Sequence, residues 1–60
     1  MSRSMTINEK IAHADDMGNR HLAAFNELDE LGKGDTKKAQ DHLRKGQYWL
    51  DRSNKLQGNQ

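Results

Sequence analysis

Leu31-Gly32-Lys33-Gly34-Asp35-Thr36 lies between two stretches of apolar residues with helical spacing. Gly32 suits the left-handed residue that closes a helix, because glycine adopts a positive φ without steric cost. Asp35 suits the N-cap of a second helix, where a side-chain oxygen accepts from a free backbone N–H. The stretch therefore predicts the turn of an all-α fold, an antiparallel two-helix hairpin.

The outer ends of the two helices also have sequence signals. Thr6-Ile7-Asn8-Glu9 is a capping box, so we expect helix 1 to begin near residue 7. A glycine inside a helix is unfavourable, but the apolar spacing keeps its phase across Gly18, so helix 1 should be continuous. The predicted organisation is a disordered lead over 1–5, one helical hairpin over 6–57 and a frayed tail over 58–60, with helix 1 at about 7–31, the turn at 32–35 and helix 2 at about 36–56.

Folding the chain at the middle of this turn predicts which residues face each other. The numbers of paired residues should sum to about 67, which places His21 opposite Gly46 and Trp49 opposite Gly18. Large side chains then meet small ones, which fills a helix interface without strain. We expect Trp49 to be shielded by this packing.

A single hairpin leaves apolar surface uncovered. Hydrophobic residues make up only 32% of the chain. On helix 1 they nevertheless form an apolar stripe that is wider than a single partner helix can cover. Self-association of two hairpins into a four-helix-bundle homodimer would cover the stripes, and an unidentified partner protein is the alternative. The residues expected to form the core and the self-association surface are Ile11, Phe25, Leu28, Leu43, Trp49 and Leu50.

Charge is divided unevenly between the two arms. Residues 1–31 carry six acidic and three basic side chains, whereas residues 32–60 carry three acidic and seven basic ones. One interpretation is that the acidic and basic arms favour antiparallel pairing. The other is that helix 2 binds the phosphates of RNA or DNA, because basic residues interleaved with an aromatic one suit such contacts. The residues for this alternative are Lys38, Lys45, Tyr48 and Arg52.

Other classes of function find little support in the residues. The chain contains no cysteine, which removes disulfides and thiolate metal sites. His13 and His21 lie two turns apart, and no carboxylate completes a metal-ligand spacing, so we expect no metal, no other cofactor and no catalytic residues. No apolar run is long enough to span a membrane, and we expect a cytoplasmic protein that does not engage a membrane.

In size, polarity and hairpin layout, residues 6–57 resemble the Rop class of small plasmid-encoded four-helix-bundle dimers, which bind paired RNA stem-loops. The resemblance is architectural and carries no functional residue over to this chain. The short, polar sequence also resembles accessory proteins of phages and plasmids. The sequence thus predicts a non-catalytic regulatory or adaptor protein that acts through protein–protein contacts, with an RNA- or DNA-binding modulator as the alternative.

Overall fold

The computed structural model describes residues 4–58 of the chain, which form two antiparallel α-helices, α1 (Ile7–Glu30) and α2 (Lys37–Leu56). The two helices pack along their length and form a single layer, 15 Å across in its shortest dimension. This confirms the predicted all-α hairpin. The expectations of a disordered lead and a frayed tail fall partly on residues 1–3 and 59–60, which lie outside the described residues.

The capping box at the start of α1 is confirmed. The Thr6 backbone N–H donates to Glu9 Oε1 at 2.9 Å, and the Glu9 N–H donates to the Thr6 hydroxyl at 3.2 Å. The hydrogen bond from the Thr6 backbone stabilises the Glu9 carboxylate most strongly, the Thr6 side chain adds to this, and the pKa of Glu9 is held below its ordinary value. α1 then continues through Gly18 without a break, as predicted.

The turn closes α1 as a Schellman motif. Gly32 has a φ of +76°, and its N–H donates to the Asp29 carbonyl at 2.9 Å. The Lys33 N–H donates to the Leu28 carbonyl at 2.8 Å, which completes the motif. The predicted left-handed conformation of Gly32 is therefore confirmed.

The predicted N-cap of the second helix is wrong by one residue. Thr36, not Asp35, caps α2: its hydroxyl accepts from the Ala39 N–H at 3.3 Å and donates to the Lys33 carbonyl at 2.7 Å. A threonine hydroxyl can do both at once, whereas an ionised carboxylate only accepts hydrogen bonds. This second link joins the cap of α2 to the turn, and the helix begins at Lys37.

The two helices cross closely at Gly18 and Gly46. A Cβ atom on Gly18 would lie 2.7 Å from Cγ and Cδ2 of Leu50, and one on Gly46 would lie 2.8 Å from the same atoms of Leu22. Each such Cβ would also lie 3.3 Å from the carbonyl oxygen of the other glycine. Because both sites are filled in the same way, the crossing is nearly symmetric, with a Gly-x-x-x-Leu segment in each helix.

This packing corrects the predicted register. The side chains that fill the space above the glycines are Leu22 and Leu50, and not His21 and Trp49. In each helix the leucine lies four positions after the glycine, whereas the ring-bearing residue, His21 or Trp49, lies three positions after it. Because positions i+3 and i+4 lie on opposite sides of residue i, the error of one residue moves each ring to the other side of the crossing.

The centre of the hairpin is made of small side chains. Ala14 and Ala39 are the buried hydrophobic residues in the described part of the chain, and Ser53 and the two crossing glycines are buried with them. Every predicted core residue is only half-buried: Ile11, Phe25, Leu28, Leu43, Trp49 and Leu50. Small residues let the two backbones approach, but they leave the large apolar side chains spread over both sides of a thin layer.

Within residues 4–58, the salt bridges all join residues of the same helix. Arg20 pairs with Asp16, Arg44 with Asp41 and Lys55 with Asp51, at 2.9 to 3.1 Å on exposed surface. Such pairs contribute about 0–1 kcal/mol each. The predicted effect of charge on antiparallel pairing therefore does not act through salt bridges between the described parts of the helices.

Two candidate interaction faces

The close crossing divides the surface of the hairpin into two faces. Leu22 and Leu50 lie on one side of the glycine contact, and His21 and Trp49 lie on the other. Because the helices are antiparallel, the residues four positions after Gly18 and after Gly46 lie on the same face of the pair. The residues three positions after each glycine lie together on the opposite face. The side chains that continue each side along both helices therefore form a continuous surface.

The leucine face has an apolar ridge between rows of uncharged amides. The ridge consists of Leu22, Leu43 and Leu50, all half-buried. Each neighbouring amide lies three or four positions from a leucine and is exposed. These amides are Asn19, Asn26, Gln47 and Asn54. A surface with an apolar centre and a neutral polar rim is depleted of charge in the way that protein–protein interfaces are.

Asp15 and Asp29 lie seven positions before and after Leu22 in the same row of α1, and the other helix engages Asp15. The hydroxyl of the buried Ser53 donates to Asp15 Oδ1 at 2.6 Å, and Gln57 Nε2 donates to the same hydroxyl at 3.0 Å. Asp15 thus serves a contact between the helices within one hairpin.

The opposite side, which we call the basic face, has rings at its centre and basic side chains at its edges. The central residues are His13, His21, His42 and Trp49. Each basic residue lies three or four positions from one of these rings on its own helix. The basic residues are Lys10 from α1 and Lys38, Lys45 and Arg52 from α2.

Contacts between the rings hold the two helices together on this face. His21 Nδ1 and His42 Nδ1 lie 3.1 Å apart, so one ring must donate and the other accept. The Trp49 ring packs edge-on against His13 at a centroid distance of 5.4 Å, and against Tyr48 at 5.3 Å. Trp49 is therefore half-buried by rings, whereas the predicted packing on Gly18 is wrong.

Within the described residues, none of the four basic side chains of this face forms a salt bridge, whereas three of the five outside it do. Arg20, Arg44 and Lys55 point away from it, and each has a carboxylate partner. Lys10, Lys38, Lys45 and Arg52 form no salt bridge with any residue of the described part. Asp41, at the outer margin of the face, is already engaged by Arg44 at 2.9 Å.

The structure groups the predicted site residues differently from the sequence analysis. Lys38, Lys45 and Arg52 share one row, and Tyr48 lies at its outer edge, 59% exposed. Lys10 and the histidines belong to the same surface and were missed. Lys10, His13, Trp49 and Arg52 line one shallow depression together with Met5. A helical projection that separated the i+3 side from the i+4 side could have found them.

The described residues also bear on metal and membrane sites. Over residues 4–58, no three histidine, aspartate or glutamate side chains converge in a way that could hold a metal ion. In the same range, neither helix has an apolar stretch long enough to cross a bilayer. Comparison with protein-family models, curated proteins and solved structures found no match to this chain.

Proposed function

We propose that this chain is a non-catalytic regulatory or adaptor protein of the cytoplasm that acts through protein–protein contacts, and that its first partner is a second copy of itself. Two hairpins would pack through their leucine faces and form a four-helix bundle. The observation that carries this proposal is the absence of any buried large apolar side chain from the described part of the hairpin.

The solvent-accessible area of the hairpin supports the proposal that part of its surface is covered by a second copy. A folded monomer of 6.9 kDa exposes about 4,000 Å² on the usual scaling of surface with mass. This hairpin exposes 4780 Å². The excess is close to the roughly 800 Å² that each partner buries in a standard protein–protein interface.

Charge favours the leucine face as the surface that meets a second copy. A symmetric dimer brings the same patch of both chains together, so charges in that patch would meet like charges. The basic face would bring four basic side chains against four others. The leucine face would bring leucines and neutral amides together, with Asp15 already bonded to Ser53.

The test is sedimentation equilibrium over a wide concentration range, with circular dichroism on the same samples. The wild-type chain should sediment at twice 6.9 kDa and remain helical. Asn26→Glu combined with Gln47→Glu places four carboxylates in the dimer interface. Since both positions are exposed in the hairpin, this variant should weaken the dimer by about 10-fold or more while keeping its helices.

A matched control has the same change of charge away from the leucine face. Lys37→Glu changes the net charge by the same two units at an exposed position, nine residues before Gly46 and therefore on the side of α2 that points away from the crossing. This control should dimerise like the wild-type chain. A helical wild-type monomer at every concentration would overturn the proposal, and so would equal loss of dimer in both variants.

A further inference from the structure

We propose that the basic face is a binding surface for a nucleic-acid duplex, contacted through its phosphate backbone. The surface extends over both helices and combines Lys10, Lys38, Lys45 and Arg52 with the rings of His13, His21, His42 and Trp49. It is present on one hairpin, so the proposal stands independently of self-association.

The charge of this face is concentrated and uncompensated. The four basic side chains give it a charge of +4, whereas the whole chain has a net charge of +1. In the described part of the chain, none of the four forms a salt bridge, while three basic side chains outside the face do. Of the six basic side chains that form no salt bridge in the described part, four lie on this face, where they can displace the counterions of a polyanion. The other two, Lys33 and Lys37, lie in the turn and at the start of α2.

The dimensions of the face suit a duplex backbone. Lys38, Lys45 and Arg52 are seven residues apart, so their row is about 21 Å long, roughly the length of six base pairs at 3.4 Å each. A layer of two helices is wider than the ~12 Å major groove of B-DNA. The hairpin would therefore lie on the phosphate backbone of the duplex. It would recognise the shape of the duplex more than its base sequence.

The centre of the face favours a nucleic acid over an anionic membrane. A helix that binds a bilayer surface inserts large apolar side chains between its basic residues. Here three imidazoles and an indole lie between the basic rows, and the indole is packed edge-on against His13. The large apolar side chains in the same rows, Met17, Leu28 and Leu56, are half-buried. These rings can donate hydrogen bonds to phosphate oxygens, and among the described residues the exposed apolar side chain in their depression is a single one, Met5, at 45%.

The experiment measures binding of 20-base-pair RNA and DNA duplexes, and of single strands of the same sequence, as a function of salt. Trp49, which is the single tryptophan of the chain, provides a fluorescence signal within the face. Lys38→Gln combined with Lys45→Gln and Arg52→Gln should reduce the slope of log K against log salt by about 3. Affinity at low salt should fall about 10-fold or more.

The control removes the same three charges elsewhere. Arg20→Gln combined with Arg44→Gln and Lys55→Gln has the same net charge, and all six positions are exposed, so both variants should stay helical. The control should retain the duplex slope. Equal losses in the two variants, no duplex binding at low salt, or preference for single strands or for phosphatidylserine vesicles would each overturn the proposal. Sedimentation in the same buffers reports separately on self-association.

Discussion

The two faces of the hairpin start from the same pair of glycines and differ by one position in each helix. The leucine four residues after each glycine packs onto the backbone of the opposing helix. The ring three residues after each glycine, His21 or Trp49, points to the other side of the hairpin. The leucine face has an apolar ridge with a rim of neutral amides, whereas the basic face has polar rings at its centre and cationic side chains at its edges. A one-residue difference in helical phase thus separates two surfaces that suit different partners.

The faces also differ in how they hold the helices together. On the leucine face each contact is the van der Waals packing of a leucine against a glycine. The leucine side chain has no polar atom that needs a hydrogen-bond partner. On the basic face the contact between His21 and His42 is a hydrogen bond in which one ring donates and the other accepts. We therefore expect the leucine side to dominate the stability of the hairpin and the basic side to contribute less.

The largest expected effect comes from filling the crossing. Gly46→Leu should destabilise the hairpin by roughly 1–3 kcal/mol in urea unfolding, because the new side chain must displace Leu22 and press on the Gly18 carbonyl. The gain in helix propensity offsets up to about 1 kcal/mol.

Second-site variants identify the residue that Gly46→Leu displaces. In a Leu22→Ala background the penalty should shrink, since the space above Gly46 is then partly empty. In a His21→Ala background the penalty should remain. The reverse pattern would restore the register predicted from sequence and would contradict the division into two faces.

Much of the fold was accessible from the sequence. The capping box at Thr6, the left-handed Gly32 and the unbroken helix across Gly18 each follow from local backbone chemistry. Helix pairing depends instead on which side chain fits above a glycine. Leucine fits because it is flexible and wholly apolar, whereas the rings of His21 and Trp49 have polar nitrogens that favour the solvated side.

The hydrogen bond of the basic face should have a smaller effect. We expect a double-mutant cycle with His21→Ala and His42→Ala to show a coupling of about 0.5–1.5 kcal/mol in urea unfolding. Because His13 contacts Trp49 and not His42, the pair His13→Ala and His42→Ala should be additive within about 0.5 kcal/mol. Coupling between His13 and His42 as large as that between His21 and His42 would mean that the rings act as one packed cluster.

The candidate sites were only partly predictable. Lys38, Lys45 and Arg52 were found because they repeat every seven residues within one helix. Lys10 and His13 join them only through the approach of the two helices, which the sequence pattern predicted with an error of one residue. The neutral amides of the leucine face were missed because exposed asparagine and glutamine are usual on any helix, and only their placement beside the ridge distinguishes them.

The smallest expected effect is that of the capping box at Glu9, which lies away from both faces. It serves as a reference for the effects measured on either face. The pKa of Glu9 is lowered in the folded chain, first by the hydrogen bond from the Thr6 backbone and then by that with its side chain. Between the folded and unfolded pKa values, the unfolded chain binds more protons, so stability falls as the pH falls. The contribution of Glu9 is complete above its unfolded pKa and is lost as the pH passes down through its folded pKa.

An NMR titration of the side-chain carboxyl carbons checks this prediction. Glu9 should titrate below the ordinary value for a glutamate, and Thr6→Ala should move its pKa part of the way back towards that value. The amide signals of Ile7 and Asn8 should follow the titration, while those of Leu22 and Leu50 should not. If the signals at the glycine crossing moved with Glu9, the end of α1 and the crossing would unfold as one unit, and the two faces could not be tested independently at low pH.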